Sequence, residues 1–198
     1  MADWYIAYAW KARGAGWSNT VSRDGWREMH ARLRKAAEVL DAAQTIDDPE
    51  YYRLKITIAV DASDEREEMG RLFEQGAALA PEYYPLYSNR AYFLLPRWFG
   101  EEGEGEQFSR DCADAFPGER GDILYAELIS AEAKYDDGSV MKGLPFDYER
   151  ARRGFLALAA MGKESNLWRS HLCRVAAISG DKETARRLFL ELGRDLNV

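Results

Sequence analysis

Apolar residues recur at helical spacing along almost the whole of this chain, and the punctuation between the periodic stretches is short. That feature constrains the fold more than any other, because a chain of amphipathic helices with no strands to cover has only other helices against which to bury its apolar stripes. The spacing predicts about ten helices, over residues 3–14, 22–44, 50–61, 64–80, 85–95, 104–115, 120–134, 147–161, 164–179 and 181–193. The best strand candidate, Ile56-Thr57-Ile58-Ala59-Val60, reads as helix, since Tyr52, Lys55 and Ala59 continue a helical pattern and no second strand exists to pair with it. Several ends carry chemical signals of their own. Asp48-Pro49 offers an N-cap followed by a proline where its missing N–H costs nothing. Ser63-Asp64-Glu65 sets a capping hydroxyl and two carboxylates at the positive end of a helix dipole. Gly180-Asp181 stops one helix and caps the next. These read as turns between antiparallel helices.

Size and charge bound the rest. A chain of 198 residues is expected to form one domain over 1–198, with an irregular insertion near 135–146. At 46% hydrophobic and 31% charged residues, disorder, a collagen-like chain and a disulfide scaffold are disfavoured. No stretch free of Asp, Glu, Lys and Arg exceeds nine residues, against the roughly 20 that a membrane-spanning helix needs. The start, Met1-Ala2-Asp3-Trp4, lacks the pattern of a secretory signal, so a cytoplasmic location and no membrane partner are expected. A net charge of −7 argues against nucleic acid as the main partner and favours a protein with a basic surface. Cys112 and Cys173 stand far apart without a CxxC partner, which predicts reduced, buried thiols and no metal or other cofactor.

A small residue, or methionine in one unit, followed four later by a bulky one, and three after that by another small or apolar one, occurs four times: Ala36-Leu40-Ala43, Met69-Phe73-Gly76, Ala151-Phe155-Leu158 and Ala185-Phe189-Leu192. This pattern resembles the tetratricopeptide repeat, a helix hairpin of about 34 residues. Small residues let the two helices approach while the bulky one wedges between neighbouring hairpins. The first-helix signature is degenerate here and the spacing irregular, so the repeat is divergent. Arg13-Gly14-Ala15-Gly16-Trp17, Gly25-Trp26, Leu94-Leu95-Pro96-Arg97-Trp98-Phe99-Gly100 and Ala177-Ile178-Ser179-Gly180-Asp181 are similar to the landmarks of a bacterial family of tetratricopeptide-like proteins with no established activity. Phe99 stands where that family has a further glycine. The resemblance implies an all-α fold, a right-handed stack of about five antiparallel helix hairpins, and transfers no catalytic residue.

The chemistry-bearing residues are few. The loop Gly100-Glu101-Glu102-Gly103-Glu104-Gly105-Glu106 is glycine-rich, but its four glutamates repel phosphate and it has no Lys-Ser/Thr pair, so it reads as a solvated turn and helix start. His30 and His171 are the only histidines, and His171 and Cys173 lie two apart on one predicted helix, pointing to different sides. No motif of a hydrolase or metalloenzyme appears, and a non-catalytic protein is expected. The alternative is a hydrolase built around His171 or His30 with distant carboxylates. Arg97-Trp98 predicts a buried indole locking the corner after Pro96, a ligand-contacting pair being the other reading. If the repeat register holds, the first helix of each pair lines a concave face, whose exposed positions are Tyr51, Lys55 and Ile58, then Ser88, Asn89 and Tyr92, then Ser170, His171 and Arg174. Tyrosine, asparagine, lysine and arginine together suit an adaptable peptide-binding surface. A protein-binding module follows, in a concrete version an immunity or adaptor protein for a cognate bacterial effector.

Overall fold

The structure, a computed structural model, describes residues 1–16, 18–43, 47–61, 65–133, 146–162 and 164–195. Trp17, the Ser63-Asp64 cap and the 135–145 part of the expected insertion lie outside these residues. The described chain is all-helical: α1 (Ala2–Arg13), α2 (Arg23–Asp41), α3 (Pro49–Ile58), α4 (Glu65–Leu79), α5 (Tyr84–Phe93), α6 (Glu104–Asp114), α7 (Glu119–Ala133), α8 (Tyr148–Ala160), α9 (Ser165–Ser179) and α10 (Lys182–Leu192), with short 3-10 turns at Ser18–Thr20, Ala59–Asp61 and Gly193–Asp195. Each matches an expected helix with ends displaced by a few residues, and the strand candidate at 56–60 is helical. No helix among the described residues is long and apolar enough to cross a membrane. The chain forms two compact units, residues 1–90 and 91–198, and α5 carries the boundary.

In the first unit α1 packs on α2, and α3 on α4. The core repeats at helical spacing: Ala2, Ile6 and Ala9 on α1 meet Met29, Leu33, Ala36 and Leu40 on α2, with Leu54 of α3 closing the cluster. The first two landmarks build the corner between α1 and α2. Arg13 is buried, donates to the carbonyls of Gly14 (3.1 Å) and Gly16 (2.9 Å), and lies 5.7 Å from the Trp10 ring and 5.2 Å from the Trp26 ring. A buried guanidinium needs such partners, and two π faces with two carbonyls supply them. Ser22 caps α2 by accepting from Gly25 N at 3.0 Å, and His30 stacks on Trp26 at 5.7 Å. The Asp48 cap forms as expected, accepting from Glu50 N at 2.9 Å with Pro49 behind it.

In the second unit consecutive helices pack in chain order, α6 on α7, α7 on α8, α8 on α9 and α9 on α10. Trp98 packs beside Tyr92 and Phe93, each 5.6 Å away between ring centroids. It is half-buried rather than buried, because the corner that it covers is formed by Phe93, Leu94 and Leu95, which take the interior positions. Gly100 closes that corner so tightly that a Cβ there would stand 1.7 Å from Leu94 O, which explains the final glycine of the landmark. Asp181 caps α10 by accepting from Thr184 N (3.0 Å), and the Tyr148 hydroxyl donates to its other oxygen at 2.7 Å. Hydrogen bonds from Tyr148 and Thr184 hold the Asp181 carboxyl down at about 2.

Two further expectations, on Glu106 and Cys112, need correction. Glu106 is only 8% exposed, because the first turn of α6 rolls Gly105 and Glu106 inward, so it is not part of a solvated acidic cluster; Glu101 and Glu102 remain exposed. Cys173 is buried as expected and Cys112 only half-buried; both are free thiols, and burial pushes the Cys112 thiol up to about 12.

One half-buried acid makes stability depend on pH. Burial, with no offsetting hydrogen bond or charge, pushes the Glu127 carboxyl on α7 from its ordinary 4.5 up to about 7. The folded chain therefore keeps this proton where the unfolded chain has released it. Its contribution is fully present below pH 4.5 and lost as pH rises through about 7. Glu127→Gln is expected to stabilise the protein above that range by roughly 1–2 kcal/mol, partial exposure trimming the full linkage value, and to flatten this part of the profile. Melting curves across the range check it, and identical pH profiles for both proteins would contradict it.

Candidate partner-binding face

Glu50, Arg53 and Thr57 lie at i, i+3 and i+7 on α3 and so share one face. Arg53 grips Glu50 with two hydrogen bonds of 2.6 Å, and the Tyr83 hydroxyl, one residue before α5, donates to the same carboxylate at 2.6 Å. Thr57 Oγ1 donates to Arg53 O (3.1 Å), and Asn89 Nδ2 on α5 donates to Thr57 Oγ1 (3.0 Å). On the other side, Arg53 Nη2 lies 3.7 Å from Asp3 Oδ1 of α1. The result is a continuous polar chain from Tyr83 through Glu50, Arg53 and Thr57 to Asn89, tying α3 to the start and middle of α5.

Its electrostatics are internally consistent. Burial alone would push Glu50 up, but the Arg53 and Tyr83 hydrogen bonds outweigh it and hold the carboxyl below the usual range. The Glu50 hydrogen bond raises Arg53, and burial followed by the Glu50 contact pushes the Tyr83 phenol up to about 12. At neutral pH the network holds one anion, one cation and a neutral phenol. The side chains of Arg53 and Glu50 keep 24% and 34% of their surface exposed, so the pair still faces solvent while its geometry is fixed. Asn89 Oδ1 is shielded and accepts no hydrogen bond among the described residues.

The expected contact residues divide. Tyr51 and Ile58 pack against the α1–α2–α3 core, and Lys55 pairs with Asp41 of α2 with its Nζ 5.8 Å from the Tyr51 ring. That strip of α3 is thus turned toward core and ion-pair partners, while Asn89 reaches Thr57 on a different side of the helix. Asn89 and Ser88 sit half-buried on α5. In the second unit, Tyr92 joins the Phe93–Trp98 rings, and Ser170 is fully buried, its hydroxyl donating to Asn166 O at 2.7 Å, so Ser170 offers no exposed contact. His171 stacks on Phe155 (6.2 Å) and lies 5.8 Å from Trp168; Arg174 is half-buried on the same helix. Sequence reasoning passed over Glu50, Arg53 and Thr57, and took Tyr83 for one of a group of mostly core rings rather than a hydrogen-bond donor to Glu50. The polar i, i+3, i+7 spacing of Glu50, Arg53 and Thr57 was the available signal, masked by the neighbouring tyrosines.

Among the described residues no three His, Cys, Asp or Glu side chains converge to hold a metal ion. No protein-family model, curated protein or solved structure matches the chain.

Proposed function

We propose that this chain is a non-catalytic protein-binding module, a divergent tetratricopeptide-like stack of about five helix hairpins that grips a partner protein along the first helices of its hairpins. The observation carrying this reading is the half-buried polar chain from Tyr83 to Asn89. A fully buried ion pair adds little to stability, and a half-exposed, pre-oriented one is better suited to selecting a partner. Contacts between α1, α3 and α5, the first helices of three successive hairpins in this register, support a shared face: Asp3 to Arg53, Glu50 to Tyr83 and Thr57 to Asn89. Most repeat positions on second helices support the register as well, since Ala36, Leu40, Met69, Gly76, Ala151, Phe155, Leu158 and Leu192 are buried, while Ala43, Phe73 and Ala185 are half-buried and Phe189 is exposed. Stacking of His30 on Trp26 and of His171 on Phe155 favours packing roles over a histidine-based hydrolase. An acidic chain of this kind suits a partner with a basic surface, and an immunity or adaptor protein for a bacterial effector is the concrete version.

The test is to recover the partner by affinity capture from native extract and titrate it against wild type, Asn89→Ala and Tyr83→Phe. Both variants remove only part of a polar side chain, and melting curves report whether they fold. Asn89→Ala is expected to raise Kd about tenfold or more. Unchanged affinity in both variants would move binding to another surface.

A further inference from the structure

We draw no further inference here: the strongest candidate, the outward surface patch of α10 on which Phe189 and Leu190 stand exposed among Lys182, Glu183 and Arg186, carries none, because nothing in the structure shows what covers it.

Discussion

Phe155→Ala is expected to destabilise the second unit by about 3–5 kcal/mol, whereas Phe189→Ala at the matching repeat position should change stability by no more than about 0.5 kcal/mol. The two residues share a sequence pattern and differ in what surrounds them. Phe155 is 0% exposed and lies against Trp168 and His171. Truncating it removes apolar burial and two ring contacts, and leaves a cavity that neighbouring helices fill only in part. Phe189 has more than half its surface in solvent already. Urea unfolding of dilute protein, read as the shift in midpoint at constant slope, separates the two outcomes. Equal shifts for both variants would show that the repeat position, and not burial, sets the energy.

Gly154→Ala should lower stability by roughly 1–3 kcal/mol, although glycine to alanine inside a helix ordinarily adds about 1 kcal/mol. The sign reverses because α7 and α8 meet at this residue. A Cβ on Gly154 would stand 2.0 Å from Asp122 O and 2.7 Å from Ala126 Cβ. The first obstacle is backbone, which cannot rotate away, so the helices would have to separate. Separation would also strain the Asp122 carboxylate, which accepts from Arg153 Nε at 2.6 Å and lies 3.4 Å from Arg150 Nε. Gly70 on α4 supplies the control, since a Cβ there would meet only the end of the Arg90 side chain at 3.7 Å. Gly70→Ala is therefore expected to gain up to about 1 kcal/mol. A stabilising Gly154→Ala would mean that α7 and α8 are not in such close contact.

The helices were legible because their signals are local. Apolar spacing, the Asp48-Pro49 start and the Gly180-Asp181 stop act within a turn or two, and the folded caps form where the residue types demand. Faces were harder to read. Tyr51, Lys55 and Ile58 make a strip that looks exposed by residue type, yet Tyr51 and Ile58 reach the core and Lys55 reaches Asp41, because α3 has neighbours on several sides. The polar chain depends on pairings such as Tyr83 with Glu50 and Asn89 with Thr57, separated by more than thirty positions in sequence. Periodicity along one helix carries no information about such distant pairs. The Trp98 corner was half legible: an indole locking the turn after Pro96 was foreseen, and its lying half-buried over Phe93 was not.

The most direct measurement of the partner-binding proposal is hydrogen–deuterium exchange on the chain with and without its captured partner. Amides slow when a bound protein excludes water and suppresses local opening. The proposal predicts new protection along α3 around Glu50 to Thr57 and in the segment from Tyr83 to Asn89, with α10 unchanged. Protection confined to α10, or to the exposed Glu101-Glu102 turn, with α3 exchanging as in the free protein, would contradict it.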